Sequence, residues 1–302
     1  MMEGKKMSYL INGFRGFCMA LADSVPGVSG GTIAFILGFY DKFINSLNNI
    51  IFGKKKEKKE ALVFLVKLGL GWIIGMIGAV LILTSIFDKN IYSISSVFLG
   101  FIIFSIPTII KEEKDNIKGK YKNIIFLLMG IIVVVLITYF NPISGGNNVN
   151  ISNLNFGLII YVFVCAMIAI SAMVLPGISG STLLLIFGLY MPIISSIKKF
   201  LHFDLSVLPI LIIFGLGVIT GIALVIKSIK KALEKYRSQT IYLIIGLMIG
   251  SLYAIVMGPT TLDLPKEPLS ISTFSLLFFI LGGVIILLLE KIKNYLKEKN
   301  ID

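Results

Sequence analysis

Ten long apolar blocks divide this sequence, and their length limits the chain to a membrane-embedded fold. About 20 consecutive apolar residues in a helix cross the hydrocarbon core of a bilayer. Only 15% of the 302 residues are charged, whereas a typical soluble domain has about 25%. The sequence therefore predicts an all-α polytopic membrane protein. We place the blocks at approximately 9–24, 28–52, 62–87, 91–110, 123–140, 156–175, 178–197, 206–226, 239–258 and 270–289.

The basic residues cluster between these blocks, and their distribution predicts the orientation of the chain. Cytoplasmic loops of membrane proteins carry an excess of Lys and Arg. If both termini and the segments 54–59, 111–122 and 227–237 face the cytoplasm, 21 basic residues lie inside and four lie outside. We therefore expect cytoplasmic N- and C-termini. The net charge of +12 belongs to these clusters, and no basic stripe or interleaved aromatic pattern indicates nucleic-acid binding.

The first half of the chain recurs in the second half. At an offset of 150 residues, eleven of 25 positions are identical between 22–46 and 172–196. The shared positions include Pro, Gly, Ser and Thr, which unrelated apolar segments rarely share. A Gly-Leu-Gly-x3-Gly pattern follows at 69–75 and again at 215–221, and such glycines are typical of close helix packing. We interpret the match as a duplication.

The order of the blocks predicts that the two repeats have opposite orientations in the membrane. In each repeat a broken or re-entrant helical hairpin precedes three transmembrane helices, so an odd number of crossings separates the two hairpins. We expect repeat one at 1–141, with hairpin 9–52 entering from the cytoplasmic side. Repeat two is expected at 156–302, with hairpin 156–197 entering from the outside. Residues 142–155 would form an external loop.

Each hairpin contains a Pro-Gly motif that should interrupt its helix. Proline disfavours helix in the residue before it, glycine allows a tight turn, and Ser or Thr suits the N-cap of the next helix. The second arm would point its positively polarised N-terminus and free N–H groups into the protein, where they suit an anion such as phosphate. The motifs are Val25-Pro26-Gly27-Val28-Ser29-Gly30-Gly31-Thr32 and Leu175-Pro176-Gly177-Ile178-Ser179-Gly180-Ser181-Thr182.

Paired breaks of this kind indicate the substrate site of a transporter, and a tight turn between two ordinary spanning helices is the alternative. Asp23 is an acid at membrane depth that could carry a proton or cap the following helix. Arg15 could pair with a phosphate or extend to the headgroups. The candidate substrate-binding residues are Arg15, Asp23, Ser29, Gly30, Gly31, Thr32, Ser179, Gly180, Ser181 and Thr182.

Three other polar residues near the motifs are expected at the membrane–water interface. Tyr40 and Tyr190 are matched between the repeats, and tyrosine is enriched at that interface. Asp41 has no charged counterpart in the second repeat. We assign no substrate-binding role to these three residues.

The two motifs, with a Gly-x-Tyr at 38–40 and at 188–190, resemble those of a bacterial membrane family. This is the PopT-type undecaprenyl-phosphate translocase family, also called domain of unknown function 368, and the resemblance covers nearly the whole chain. It implies a multi-pass protein of the bacterial cell membrane that returns undecaprenyl phosphate from the outer to the cytoplasmic leaflet for cell-wall polymer synthesis. The lipid substrate follows from the resemblance alone.

The residues themselves are compatible with three other functions. One is a transporter of another organic or phosphate-bearing anion, and another is a membrane scaffold, which would leave the broken helices without a purpose. The third is an intramembrane lipid phosphatase, which is disfavoured because the chain has a single histidine and no paired-acid or metal-ligand cluster at membrane depth. We therefore expect no catalytic residue, no metal and no cofactor, with proton coupling through Asp23 as a further hypothesis.

Overall fold

The computed structural model describes residues 2–24, 29–140, 149, 155–261 and 265–298, and its regular elements are helices. The predicted all-α fold is confirmed. In chain order the α-helices are α1 (Met2–Asp23), α2 (Gly30–Ile36), α3 (Tyr40–Phe52), α4 (Lys55–Glu112), α5 (Lys114–Ile117), α6 (Ile124–Tyr139), α7 (Phe156–Met173), α8 (Gly180–Ile186), α9 (Tyr190–Leu201), α10 (Leu208–Lys235), α11 (Arg237–Met257) and α12 (Leu276–Glu298).

Six stretches of the described residues are helices long and apolar enough to cross a membrane, so the chain is a multi-pass membrane protein. The pair α8 and α9 would make a seventh, but the two helices bend by 109° at the break between them, as in a broken span or a re-entrant loop. The inverted orientation of the two repeats, and their boundaries, stay predictions. The six stretches are Lys55–Ala79, Asn90–Glu112, Tyr121–Tyr139, Phe156–Met173, Leu205–Lys235 and Arg237–Thr260.

The blocks 62–87 and 91–110, predicted as two helices, are two helices that meet at a kink within α4. The backbone leaves helical geometry at Asn90, where φ is −119° and ψ is 22°. This break falls at the edge of the second block, and the two parts are separate apolar spans, Lys55–Ala79 and Asn90–Glu112, so the prediction of two helices is confirmed.

The chain reverses direction within α4. The ammonium group of Lys42 lies 5.3 Å from the ring centroid of Phe64, near the start of α4. The neighbouring Asp41 is linked through Arg237 to Glu113, just beyond the end of α4. A straight helix from residue 64 to residue 113 would be about 70 Å long. Both ends of α4 could not then approach one pair of adjacent residues, so α4 supplies two spans that return to the same side.

The second arm of each hairpin is interrupted a second time, which the sequence analysis did not predict. Gly38 and Gly188 have φ values of +71° and +64°, a left-handed conformation that glycine adopts without steric cost. These turns end α2 and α8 after seven residues each. The arms predicted at 28–52 and 178–197 are therefore each two helices. The matched Gly-x-Tyr is the sequence signal of this turn.

Equivalent glycines bring the first helix of each half against its long neighbour. A Cβ atom on Gly71 of α4 would overlap the backbone oxygen of Gly13 in α1. A Cβ atom on Gly217 of α10 would lie 2.5 Å from the backbone oxygen of Phe163 in α7. The close packing predicted for the Gly-Leu-Gly-x3-Gly pattern is confirmed at these two positions.

The other long helices pair across the two halves, again at equivalent glycines. A Cβ atom on Gly100 of α4 would overlap the backbone oxygen of Phe279 in α12, and one on Gly246 of α11 would overlap that of Leu127 in α6. Gly246 follows Gly100 by 146 residues, the same offset that separates the two Gly-Leu-Gly patterns. Each of these two helix pairs therefore contains one helix from each half, and the two halves pack into one bundle.

Candidate functional site

The Pro-Gly motif of the second half interrupts its helix as predicted. Helix α7 ends at Met173 and α8 begins at Gly180. Between them Gly177 has a φ of +92°, and a Cβ atom there would lie 2.5 Å from the backbone of Leu247 in α11. Glycine is thus favoured at this position by both the backbone conformation and the space available.

The first half is interrupted at the matching place. Helix α1 ends at Asp23 and α2 begins at Gly30. The intervening Pro26 and Gly27 lie outside the described residues. The bounds of the two helices confirm the predicted interruption.

Two side chains cap the N-terminus of α2. Ser29 Oγ accepts the N–H of Thr32 at 3.2 Å, and Asp23 Oδ1 accepts the N–H of Gly30 at 2.6 Å. The other carboxylate oxygen of Asp23 accepts the indole N–H of Trp72 at 2.9 Å. A carboxylate at a helix N-terminus is favoured by the helix dipole. Asp23 therefore makes the capping contact, whereas a proton-carrying role for it stays a prediction.

Helix α8 has a different N-terminus. Met173 stands where the first half has Asp23, and it packs so closely that a Cβ atom on Gly180 would lie 3.0 Å from its sulfur. Ser179 precedes α8, but among the described residues its side chain accepts no backbone N–H of the helix. Its hydroxyl lies 2.7 Å from that of Ser181 instead. Both candidate phosphate sites thus contain hydroxyl groups. The first also contains the carboxylate of Asp23, whereas the second has the uncharged Met173 at the matching position.

The two motifs meet each other inside the protein. Thr32 Oγ1 accepts the N–H of Gly177 at 2.8 Å across a separation of 145 residues. Tyr40 donates its hydroxyl hydrogen to the backbone oxygen of Val174 at 3.0 Å. A Cβ atom on Gly31 would lie 3.1 Å from the same oxygen. We call these contacts the motif junction. Tyr40 is 2% exposed, so the expectation of an interfacial anchor is wrong for this residue.

The hydroxyls of the motif residues are directed into the protein. Ser29 and Thr32 are buried, and their hydroxyl oxygens are 3.0 Å apart. Ser179 and Thr182 are also buried, whereas Ser181 is partly exposed. The site in the first half is therefore closed in this conformation, because each of its hydroxyls has protein partners. A phosphate could reach them only if the motif junction separated.

Arg15 lies on α1, eight residues before Asp23. Its guanidinium carbon is 5.0 Å from the ring centroid of Phe39, and its Nη1 donates to Asn12 Oδ1 at 3.2 Å. The residue is buried at 8% exposure. The side chain is therefore packed among protein groups. Its pairing with a phosphate stays a prediction.

A cluster of charges that the sequence analysis did not predict lies at the ends of three helices. Arg237 Nη1 donates to Asp41 Oδ2 at 3.0 Å, and Arg237 Nε donates to Glu113 Oε2 at 3.0 Å. Arg237 Nη2 also donates to the second carboxylate oxygen of Glu113. Asp41 lies inside the apolar block 28–52, whereas Glu113 and Arg237 lie in basic loops. No local pattern indicates that the three side chains meet.

A known protein family is similar to this chain over a range that includes both motifs. A model of the family described as undecaprenyl phosphate translocase-like matches residues 19–273, which include the two motifs and most of the chain. The chain belongs to the undecaprenyl phosphate translocase-like family. The resemblance inferred from the motif residues is thereby confirmed.

Two relatives of this translocase-like family are similar along most of their length. A Staphylococcus aureus protein named polyprenyl-phosphate transporter is 35% identical over 288 residues, covering 93% of this chain and 96% of the relative. A Vibrio cholerae protein of the same name is 33% identical over 262 residues, covering 83% of this chain and 79% of the relative. No solved structure matches the chain.

Proposed function

We propose that the chain transports a lipid phosphate, undecaprenyl phosphate, across the bacterial cell membrane. It would return this carrier from the outer to the cytoplasmic leaflet, where cell-wall polymer synthesis uses it again. The proposal is supported by the family to which the chain belongs, by two relatives named polyprenyl-phosphate transporter, and by the six apolar spans. The chain would act as a transporter without catalysis, and its termini would be cytoplasmic.

The observation that carries the proposal is the motif junction, where interrupted helices from the two halves meet. Non-helical backbone at membrane depth is tolerated only where it is buried in protein or lines a polar cavity. Interrupted helices at matching positions of two repeats form the substrate sites of many transporters. Here Thr32 Oγ1 accepts the N–H of Gly177 at 2.8 Å. A backbone N–H of one repeat is thus hydrogen-bonded to a side-chain hydroxyl of the other.

We place the lipid phosphate between Ser29–Thr32 and Ser179–Thr182, with the prenyl chain remaining in the surrounding lipid. Separation of the junction would free the N–H of Gly177 and the hydroxyl of Thr32. An unsatisfied buried donor costs about 1–3 kcal/mol. Hydrogen bonds to an ionised phosphate are roughly twice as strong as neutral ones, so the phosphate would offset this cost. Arg15 would supply a counter-charge nearby.

Proton coupling through Asp23 is a further part of the proposal. The ionised carboxylate accepts the N–H of Gly30 and the indole N–H of Trp72. Protonation would turn one of its oxygens into a donor and weaken one of these contacts. The start of α2 would then loosen as the phosphate binds or leaves.

The first test compares transport by the wild-type protein with that of a Ser29→Ala, Ser179→Ala double variant. The assay is the exposure of undecaprenyl phosphate on the outer face of cells that lack redundant carriers, detected with a phosphate-binding probe. Ser251→Ala is the matched control, because Ser251 is a buried serine that donates only to Met248 of its own helix. Depletion of the protein and the double variant should both raise outer-leaflet lipid phosphate, and the control should not.

Two further arms of this test address the other functions. Uptake of a water-soluble phosphate ester, with no movement of the lipid, would favour a carrier for another anion. Release of inorganic phosphate from the lipid would favour a lipid phosphatase. Among the described residues, no group of three His, Cys, Asp or Glu side chains could hold a metal ion. Unchanged lipid exposure in depleted cells would contradict the lipid substrate.

A further inference from the structure

The charge cluster of Asp41, Glu113 and Arg237 links the two halves of the chain at a single point. Arg237 is the first residue of α11 in the second half, whereas Asp41 lies in the first turn of α3 and Glu113 follows α4 in the first half. The guanidinium contacts both carboxylate oxygens of Glu113 and one of Asp41. This paired geometry is the strong form of an Arg–carboxylate contact. One cation of the second half is thus held by two anions of the first.

Two cavities, of about 290 and 310 Å³ and each partly open to the surface, adjoin this cluster and share Asp41 and Arg237 in their walls. The first cavity extends from the cluster to Tyr40. Tyr40 in turn donates to Val174 at the motif junction. The cavity therefore extends from the charge cluster to Tyr40, and Tyr40 separates it from the rest of the motif junction.

The duplication supplies no charged equivalent of this cluster. At the offset of 150 residues that relates the hairpins, the counterpart of Asp41 is Met191. At the offset of 146 residues that relates α4 to α10 and α11, the counterpart of Arg237 is Ile91. The ion pair thus belongs to one face of the protein. Arg237 and Glu113 lie in the basic loops 227–237 and 111–122, so this face is the one predicted to be cytoplasmic.

We propose that Asp41, Glu113 and Arg237 form a gate on this face, closed here, that opens in each transport cycle to connect the motif junction with the cytoplasmic side. The proposal rests on the proposed transport function for its role in the cycle. Exposure of the three side chains supports it: Glu113 is 13% exposed, Arg237 34% and Asp41 48%. A fully exposed pair would hold the halves weakly, and a fully buried one would leave isolated charges in the interior when it opened.

The test measures access to the first cavity directly. In a chain with Cys18 and Cys165 replaced by Ala, Ile109→Cys introduces a thiol in the wall of that cavity at a position that is 3% exposed. A membrane-impermeant thiol reagent is applied to the predicted cytoplasmic side of vesicles. Arg237→Gln should raise the modification rate by roughly fivefold or more, a typical size for a coupling between two states.

The control and the rescue use neighbouring charges. Lys230→Gln removes a cation that lines the second cavity but pairs with Glu234 of its own helix, and it should leave the rate unchanged. Arg237→Glu should raise the rate, and combining it with Glu113→Arg should lower it again, because the swapped pair restores the attraction. This rescue also excludes misfolding as the cause of the increase.

The outcomes separate the gate from the proposed function. An unchanged modification rate in Arg237→Gln, or equal increases in Arg237→Gln and Lys230→Gln, would overturn the gate. A raised and rescued rate, together with a parallel loss and recovery of lipid transport, would support it. If the wild-type protein moved no lipid phosphate but the rate still rose and was rescued, the gate would stand and the lipid substrate would fall.

Discussion

Thr32→Val tests the contact that holds the two motifs together, because it removes one hydroxyl and preserves the shape of the side chain. The lost hydroxyl accepts the N–H of Gly177 at 2.8 Å and faces the hydroxyl of Ser29 at 3.0 Å. Gly177 is buried, and leaving its N–H without an acceptor costs about 1–3 kcal/mol. Ser29 keeps the N–H of residue 32 as a partner, so its contribution to the loss is smaller. We expect the free energy of unfolding to fall by about 1–3 kcal/mol.

The assay is the apparent melting temperature of the purified protein in detergent. A protein of this size shifts by about 2 °C per kcal/mol, so the expected decrease is roughly 2–6 °C. Thr138→Val is the matched control, because Thr138 is buried and donates only to Val134 of its own helix at 2.8 Å. Such a contact adds little to helix stability, so the control should change the free energy of unfolding by less than about 0.5 kcal/mol.

A transport measurement completes this prediction. Thr32→Ser keeps the hydroxyl and should keep transport, whereas Thr32→Val should reduce it. Equal melting temperatures for Thr32→Val and Thr138→Val would refute the reasoning, since the contact between Thr32 and Gly177 would then contribute nothing beyond an ordinary side-chain contact within one helix.

Two further predictions concern the packing of the two halves and the role of Asp23. Gly100→Ala should destabilise the protein by about 1–3 kcal/mol, because the new methyl group would overlap the backbone oxygen of Phe279. Gly215→Ala, with nothing within 4 Å of its Cβ position, should instead be neutral or stabilising by up to about 1 kcal/mol in the same thermal unfolding assay. Asp23→Asn keeps an acceptor for the N–H of Gly30 and should fold, but transport should no longer respond to an imposed proton gradient. A preserved response would argue against proton coupling through Asp23.

The close helix contacts at glycines recur at equivalent positions of the two halves. The same offset of 146 residues relates Gly71 to Gly217 and Gly100 to Gly246, and each of the four glycines lies against the backbone of another helix. Two of these contacts lie within a half and two lie between halves. A glycine in a helix is destabilising by about 1 kcal/mol relative to alanine. Here the close approach of the backbones accounts for its presence.

The amino-acid sequence by itself determined the features that depend on local chemistry. The apolar blocks predict a membrane protein because their length matches the bilayer. The Pro-Gly motifs predict interrupted helices because proline and glycine act on the backbone where they stand, and α7 does end at Met173, before Pro176. The paired motifs also predicted the family, which the comparison confirms.

The sequence pattern indicated some of the helix breaks and missed others. Residues 88–90 carry charged and amide side chains between two apolar blocks, and the backbone does leave helical geometry at Asn90. Conversely, the matched Gly38 and Gly188 end their helices within apolar stretches. A single glycine in such a stretch is compatible with packing or with a turn, and only its surroundings decide between them.

Only the tertiary structure decided which residues face each other. The hydroxyl of Thr32 meets Gly177, the buried Tyr40 reaches Val174, and Arg237 joins two carboxylates of the other half. Each of these contacts joins residues more than 100 positions apart. Hydropathy and local motifs report the environment of a segment but not its partner. The partner is set by how ten apolar segments pack together, and that packing brings both halves of the chain to one site.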